Sequence, residues 1–161
     1  MRQLQKHYQE IINFNLQAGN RFEAPKTFEF YKALRNQLKL VQEELTEVVN
    51  AVEHQDDVEI LDGIADVMVT MAWVFELAHQ AGFEVDKAMR AVNENNSTKI
   101  FKSYIDAAKT AEYYADQGIE GMHVEESLVQ GVPYYTARDQ NKKIRKPIGF
   151  KSVELSQFVP T

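Results

Sequence analysis

The sequence predicts an all-α protein with a four-helix-bundle-like core of antiparallel helices and a small C-terminal β-hairpin. Apolar residues recur at helical spacing through most of the first 117 residues. Glycine and proline are concentrated after that point, where the helical pattern breaks down. The two longest apolar runs are joined by a short connection, which favours antiparallel packing. We therefore predict one domain over residues 1–161, with a helical core at about 1–117 and an irregular extension at about 118–161.

The first two helices are predicted from apolar spacing and from one capping residue. Apolar positions at helical spacing predict a helix over residues 2–17, and a loop containing glycine and proline follows over 19–27. Thr27 is a suitable N-cap for a second helix that runs to about Val52. The spacing of 4, 3, 4, 3 and 4 along this helix marks an apolar stripe, made of Leu34, Leu38, Val41, Leu45, Val48 and Val52.

The segment 60–75 is apolar on nearly all sides, which predicts a helix buried in the core. Its only polar residues are Asp62, Asp66 and Thr70, which fall on one line along the helix. The segment is too short, and too interrupted by acids, to span a membrane. Gly82 is expected to end the helix as its C′ residue.

The remaining elements are predicted from breaks in the helical pattern. A third helix is expected to begin near Val85, and three asparagines within residues 93–96 predict a kink or turn. The next helix is expected from about Ser97 to Ala115. The β-hairpin is then expected to pair residues 132–138 with 143–150 around a turn at 139–141.

Composition and charge exclude several classes of protein. The chain has 161 residues, 44% of them hydrophobic, and no cysteine, so disulfides, thiol catalysis and Cys-ligated zinc are excluded. The absence of an apolar segment near the start predicts no signal peptide and a cytoplasmic protein without membrane partners. A net charge of −6 argues against nucleic-acid binding and is compatible with a small anionic ligand carried by a metal.

Residues 40–86 contain half of the acidic residues of the protein and no lysine or arginine. Crowded carboxylates repel each other and lose hydration when buried, so a cation must compensate them. Oxygen ligands without His or Cys suit Mg²⁺ or Mn²⁺. The twelve acids are Glu43, Glu44, Glu47, Glu53, Asp56, Asp57, Glu59, Asp62, Asp66, Glu76, Glu84 and Asp86.

Three short motifs in this part of the chain carry a family resemblance. They are Glu-Glu-Leu-Thr-Glu at 43–47, Asp-Gly-Ile-Ala-Asp-Val-Met-Val at 62–69 and Asn-Ser-Thr-Lys at 96–99. Together they resemble the all-α nucleoside triphosphate pyrophosphohydrolases, a superfamily that includes MazG-like enzymes, dimeric dUTPases and phosphoribosyl-ATP pyrophosphohydrolases. The family's Glu-x-x-Asp motif is altered in this chain. Three residues before Asp66, where the motif has glutamate, the chain has Gly63. The fourth acid is then Asp62, or Glu59 if the motif is read as Glu59–Asp62.

The resemblance implies hydrolysis of a (deoxy)nucleoside triphosphate between the α and β phosphates, giving the monophosphate and pyrophosphate. It also implies a homodimer or homotetramer. The implied ligands of Mg²⁺, or of Mn²⁺, are Glu44, Glu47, Asp62 and Asp66. The implied catalytic residues are Glu43, as a candidate base, with Glu44 and Lys99. The implied substrate-binding residues are Asn96 and Lys99, with Lys143 and Lys146 in a tail that resembles the family's Lys-x-x-Lys-Pro. Arg35 is a further candidate, because it lies two turns before Glu43 and could reach a phosphate.

Two other functions are compatible with the sequence. A non-enzymatic helical dimerisation module would leave the carboxylates solvated, as charged runs usually are. A di-iron or di-manganese carboxylate bundle would use Glu-x-x-His pairs, which occur at Glu76–His79 and Glu120–His123. The second pair contains Gly121 and is not expected to be helical, which argues against this function.

Overall fold

The computed structural model describes residues 2–161 and has the predicted all-α architecture with a small C-terminal sheet. Five helices and one antiparallel hairpin account for the regular structure of the described residues, which confirms the predicted fold class. No helix among them is both long and apolar enough to cross a membrane. The elements are α1 Arg2–Gln17, α2 Phe28–His54, α3 Asp57–Gln80, α4 Val85–Ser97, α5 Tyr104–Asp116, β1 His123–Val129, β2 Val132–Arg138 and a short 3₁₀ helix Ser156–Phe158.

The contacts divide the chain into two compact units. The first unit extends to Val85 and includes Phe158–Thr161, and the second comprises Asp86–Gln157. The first therefore contains α1, α2 and α3, and the second contains α4, α5 and the hairpin. The single domain over residues 1–161 stays a prediction.

The reversal between α2 and α3 is made by local capping. Thr27 caps α2 as predicted, because its side chain accepts a hydrogen bond of 3.1 Å from the amide of Phe30. Gln55 then ends α2 in the left-handed region, with φ at 57°. Asp56 begins α3, since its carboxylate accepts from the amides of Val58 and Glu59 at 3.1 and 3.2 Å. These two residues turn the chain so that α3 packs against α2.

The buried centre of the first unit lies where α1 packs on α3. Ile12, Trp73 and Leu77 form this cluster, and Tyr8 and Leu16 pack against it. Burying such side chains contributes about 1.5–3 kcal/mol each. The predicted end of α3 is also confirmed, because Gly82 follows the helix with φ at 84° and donates to the carbonyl of His79 at 2.9 Å.

Glu76, of the first Glu-x-x-His pair, is part of this core. It is buried, and its carboxylate accepts from the Tyr8 hydroxyl at 2.9 Å and from the Gln80 amide at 2.8 Å. The second Glu-x-x-His pair is not helical, since His123 begins strand β1. The di-iron alternative therefore lacks its second helical pair.

Helix α3 is less buried than its composition predicted. Only Gly63, Ala72, Trp73, Glu76 and Leu77 are buried on this helix. Asp62 and Asp66 are exposed, so the prediction of a helix buried in the core was wrong for this side of α3 in the single chain. The physical reason is that α1 and α2 cover only part of the circumference of α3. The exposed apolar residues of α3 are Val58, Leu61, Ile64, Met68, Val69 and Phe75.

The predicted break within residues 93–96 was wrong, because α4 continues through the asparagines to Ser97. These side chains make their hydrogen bonds without interrupting the helix. Asn95 donates to the carbonyl of Lys151 at 2.7 Å, and the Asn96 side-chain oxygen accepts from Lys99 at 2.6 Å. The helix predicted from Ser97 instead begins at Tyr104, after a segment held to β2 by hydrogen bonds between Phe101 and Tyr135.

The β-hairpin pairs residues 123–129 with 132–138, whereas the prediction paired 132–138 with 143–150. Its two-residue turn is Gln130–Gly131, where both residues have positive φ, 53° and 79°. This turn suits the right-handed twist of paired strands and joins β1 to β2. The predicted second strand over 143–150 does not form. The signal that could have located β1 is the Gln-Gly pair flanked by Val129 and Val132.

Candidate functional site

The proposed metal ligands lie on α2 and α3, close enough for the charges of Asp62 and Asp66 to act on Glu44. On α2, Glu44 and Glu47 continue a line of residues that begins at Ala33, with spacings of 4, 3, 4 and 3. On α3, Asp62 and Asp66 begin a corresponding line toward Leu77. The full lines are Ala33, Gln37, Leu40, Glu44 and Glu47 on α2, and Asp62, Asp66, Thr70, Trp73 and Leu77 on α3.

Glu44 lies at the electrostatic centre of these acids. Its side chain is half-buried, whereas Glu43, Glu47, Asp62 and Asp66 are exposed. Loss of hydration raises the pKa of Glu44, and the charges of those four carboxylates raise it further. A carboxyl group in this position holds its proton more strongly than an isolated glutamate, so a nearby cation would be favoured.

Which of Asp62 and Glu59 is the fourth acid stays a prediction, although Asp62 is the one whose charge acts on Glu44. Among the described residues, the charges that raise the pKa of Glu44 belong to Glu47, Asp66, Glu43 and Asp62, and that of Glu59 is not one of them. Glu59 lies in the first turn of α3, where its backbone amide is capped by Asp56. Asp62 is one helical turn closer to Asp66.

The donor chemistry of the site fits a hard divalent cation, although the side chains do not converge on a single point. The acids near Glu44 offer only carboxylate oxygens, which are the ligands that Mg²⁺ and Mn²⁺ take. Within the part of the chain that the structure describes, no three acidic or histidine side chains are close enough together to hold a metal ion as they stand. Ion binding would therefore require rotation of exposed carboxylate side chains.

Gly63 allows α2 and α3 to approach closely beside the acids. A Cβ atom at this position would lie 2.6 Å from Cγ2 of Val48 and 3.5 Å from the Val48 backbone nitrogen. Gly63 follows Asp62 in the chain, and Val48 follows Glu47. The missing side chain therefore allows the two acidic segments to come close together.

In the second unit, Asn96 and Lys99 lie beside a residue of the basic tail. The Lys99 ammonium group lies 5.8 Å from the centre of the Phe150 ring, and that of Lys146 lies 4.9 Å from it. Asn96 accepts a hydrogen bond from Lys99. The structure thus brings two of the predicted substrate-binding lysines to one aromatic ring, with Asn96 bonded to one of them. Sequence reasoning missed Phe150, because an isolated phenylalanine in an irregular segment carries no periodic signal.

Asp139 organises the chain that leads to this basic tail. Burial raises its pKa, but hydrogen bonds from the amides of Lys143 and Asn141 and from the Arg145 guanidinium outweigh burial, so the pKa is held below its usual value. Lys143 itself is exposed, and this bond through its backbone holds it in the turn. Its predicted contact with phosphate stays a prediction.

Arg35 is not brought to the acids by its own helix. It precedes Glu44 by nine residues, which is about two and a half helical turns, so the two side chains emerge on opposite sides of α2. Arg35 instead lines an open groove of about 450 Å³, together with Tyr31, Leu34, Leu38, Lys39 and Gln42.

The fold and these residues define an all-α protein with carboxylates on both helices of a closely packed pair and with lysines gathered around an aromatic ring. Residues 33–99 match the family model of the MazG nucleotide pyrophosphohydrolase domain. The match confirms the resemblance over this stretch, which contains most of α2 and all of α3 and α4. It supports nucleotide pyrophosphohydrolase activity in general and implies a nucleotide substrate. No curated protein and no solved structure matches the chain.

Proposed function

We propose that this protein hydrolyses a (deoxy)nucleoside triphosphate between the α and β phosphates, with a divalent metal as cofactor. The observation that carries the proposal is the position of Glu44, whose pKa is raised by burial and by four neighbouring carboxylates. Acids that only solubilised a surface would not need to lie close together on two helices. The MazG match over residues 33–99 supports the same reaction class. Such an enzyme would act on the nucleotide pool in the cytoplasm.

Glu44, Glu47, Asp62 and Asp66 would hold Mg²⁺ or Mn²⁺. When bound, the ion would offset the negative charge of phosphate oxygens and make an attacking water more acidic. Glu43, or another carboxylate of the group, accepts a proton from that water. The water oxygen forms a bond to the α phosphorus as the bond to the bridging oxygen breaks, and the electron pair leaves with pyrophosphate.

The proposed role of Asn96, Lys99, Lys143 and Lys146 is to bind the phosphates of the substrate and the leaving pyrophosphate. Ammonium groups stabilise the charge that develops on the departing oxygens. The grouping of Lys99 and Lys146 on Phe150 supports a shared task for these two residues. Arg35 has no such support within the chain, and its substrate-binding role stays a prediction.

The direct test is a panel of nucleoside triphosphates incubated with Mg²⁺, with pyrophosphate and orthophosphate measured separately. The proposal expects pyrophosphate and a nucleoside monophosphate from at least one nucleotide. The competing function, a dimerisation module with solvated acids, is favoured by the exposure of Asp62 and Asp66. That module would release neither product and would show no stabilisation by Mg²⁺.

Substitution of the lysines on Phe150 is expected to weaken substrate binding more than folding. Lys99→Gln and Lys146→Gln each remove one charge from a partly solvated site, so we expect KM for the triphosphate to rise about three- to tenfold. The free energy of unfolding should change by less than about 0.5 kcal/mol, as for other surface substitutions. Steady-state kinetics on purified variants measure the effect.

A matched control is Lys151→Gln, which changes an exposed lysine of the same tail whose backbone carbonyl, rather than its ammonium group, contacts Asn95. An unchanged KM in both Lys99→Gln and Lys146→Gln would contradict this prediction and would indicate that the tail is an ordinary solvated surface. Point substitution is a better test than removal of the tail. Truncation after Gly131 would delete β2, which pairs with β1 and Phe101 and packs on α5.

The protein is expected to form a homodimer or homotetramer. Leu61 on α3 is 71% exposed, and an apolar stripe on α2 is exposed as well, which leaves much of this helix pair uncovered in one chain. Soluble proteins seldom expose so large an apolar area without a partner. Light scattering at micromolar concentration is expected to give at least twice the mass of the chain, 18.5 kDa. A monomeric mass would contradict this prediction. The exposed stripe on α2 consists of Leu38, Leu45, Val49 and Val52.

A further inference from the structure

The ring of Phe150 contacts two ammonium groups that come from different parts of the second unit. Nζ of Lys146 lies 4.9 Å from the ring centre, and Nζ of Lys99 lies 5.8 Å from it. Both distances fall within the range of about 6 Å over which an aromatic ring attracts a cation. Lys99 follows α4, whereas Lys146 lies in the tail after the hairpin. The ring therefore joins two segments that are distant in the sequence.

Two ammonium groups at one ring repel each other, so their proximity needs a cause. Lys99 donates to the side-chain oxygen of Asn96 at 2.6 Å, which fixes one of the two groups. Within the part of the chain that the structure describes, neither lysine forms an ion pair with a carboxylate. The negative face of the Phe150 ring is then the group that offsets the repulsion.

The tail that carries Phe150 is anchored on both sides of the ring. Before the ring, the buried carboxylate of Asp139 accepts hydrogen bonds from two backbone amides of the tail and from the Arg145 guanidinium. After the ring, the side chain of Asn95 on α4 donates to the carbonyl of Lys151 at 2.7 Å. Neither anchor uses an ammonium group. The position of the ring is therefore set independently of the lysines that it contacts.

We infer that Phe150 is a positioning residue, which holds the ammonium groups of Lys99 and Lys146 together so that they bind neighbouring phosphates of the substrate as a pair. The inference rests on the proposed function, in which these two lysines bind the phosphates. A lysine side chain is flexible, and its immobilisation on a ligand costs entropy. A ring that already restrains both ammonium groups reduces that cost. Because the attraction is electrostatic, an aliphatic side chain cannot replace the ring.

Phe150→Leu tests the inference, because it keeps an apolar side chain and removes the ring face. We expect Kd for inorganic pyrophosphate, measured by calorimetry on the full-length protein with Mg²⁺ present, to rise about three- to tenfold. KM for the triphosphate should rise by a similar factor. Phe150→Trp should bind at least as tightly as wild type, since an indole ring attracts cations most strongly. Phe14→Leu is the matched control, because it replaces an exposed ring of α1 and should leave binding unchanged.

The lysine variants show whether Phe150 acts through the two ammonium groups. In proteins that carry Lys99→Gln or Lys146→Gln, Phe150→Leu should raise Kd for pyrophosphate by a smaller factor than in wild type, because one of the restrained groups is already absent. A side chain that only packed against the tail would cost the same factor in each background. Equal factors in all three backgrounds would therefore contradict a positioning role.

Asn95→Ala provides a second variant that leaves the ring intact. It removes the hydrogen bond to the carbonyl of Lys151 and so releases the tail from α4. Alanine favours a helix more than asparagine does, so α4 itself is not weakened. We expect Kd for pyrophosphate to rise in the same direction as in Phe150→Leu.

Binding and hydrolysis are measured separately, so the inference and the proposed function can fail independently. Weaker pyrophosphate binding in Phe150→Leu, with wild-type binding in Phe150→Trp, supports the inference even if no triphosphate is hydrolysed. An unchanged Kd in Phe150→Leu, or an equal loss in both variants, overturns the inference, whereas the proposed function stands if the wild-type protein releases pyrophosphate. A wild-type protein that does not bind pyrophosphate overturns the inference as well.

Discussion

Glu44→Gln is expected to raise the thermal midpoint of the metal-free protein at pH 7 and to abolish pyrophosphate release. The substitution keeps the shape of the side chain and removes a charge that is disfavoured by burial and by four neighbouring carboxylates. For a chain of this size, each 1 kcal/mol relieved raises Tm by about 2–4 °C. Turnover should fall about a hundredfold or more, because the residue is proposed to act at the reacting phosphate.

The pH dependence of this gain in stability follows from the direction in which the pKa of Glu44 is shifted. A carboxyl group whose pKa is raised by folding stabilises the protein below its unfolded pKa, about 4.3, and that contribution is lost as pH rises through the folded pKa. Glu44→Gln should therefore be more stable than wild type at pH 7 and equally stable at about pH 4 or below. Thermal unfolding followed at both pH values measures the difference.

The response of Tm to added Mg²⁺ is a second test of the role of Glu44. At a hundredfold excess over Kd, a bound ion stabilises the folded state by about 2.7 kcal/mol, so Mg²⁺ should raise Tm of the wild-type protein by about 5–10 °C. The shift should be smaller in Glu44→Gln and unchanged in Glu53→Gln, an exposed acid of the same helix. Asp62→Asn and Glu59→Gln are compared to decide which is the fourth acid. A metal-free Glu44→Gln protein less stable than wild type, without a metal response in wild type, would identify these acids as structural.

The sequence predicts the helices best where local chemistry determines them. Thr27 and Gly82 mark helix ends through a side-chain cap and a left-handed residue, and both act within a few residues of the chain. The continuation of α4 through Asn95 and Asn96 was not predictable in the same way. Asn95 bonds to the carbonyl of Lys151, a residue distant in sequence that only the folded chain brings close.

The acidic part of the candidate site was also predictable, because helical periodicity alone places Glu44 and Glu47 on one face. The degree of burial was not, since it depends on what covers α3. The chain leaves Leu61 and Asp62 exposed, although the composition of α3 is that of a core helix. Phe150 brings together residues distant in sequence, and no local pattern marks such contacts.

Gly63→Ala is expected to separate the two acidic segments and to reduce kcat/KM by about ten- to a hundredfold. The new Cβ would lie 2.6 Å from Cγ2 of Val48, a contact that real side chains do not make. Val48 has a stiff, β-branched side chain, so the helices must shift or the side chain must leave its preferred rotamer. Displacement of catalytic groups by about 1 Å costs about a hundredfold in rate.

The stability of Gly63→Ala reflects two opposing effects. Replacing a helical glycine by alanine stabilises the helix by about 0.5–1 kcal/mol, whereas overpacking of this kind costs about 1–3 kcal/mol. We expect a net loss of about 1–2 kcal/mol, measured by chemical denaturation. Because the short contact is with a side-chain methyl group, and the Val48 backbone atoms lie at 3.5 and 3.6 Å, Val48→Ala should make room for the new Cβ.

The double variant Gly63→Ala/Val48→Ala separates a packing effect from a role in positioning the acids. If the close approach of α2 and α3 aligns the carboxylates, the double variant should recover most of the kcat/KM lost in Gly63→Ala, even though Val48→Ala alone weakens packing. The coupling between the two substitutions should then exceed about 0.5 kcal/mol. A Gly63→Ala protein that is more stable than wild type and fully active would show that the acids tolerate a wider helix pair. The altered position in the family's acidic motif would then have no structural consequence for the site.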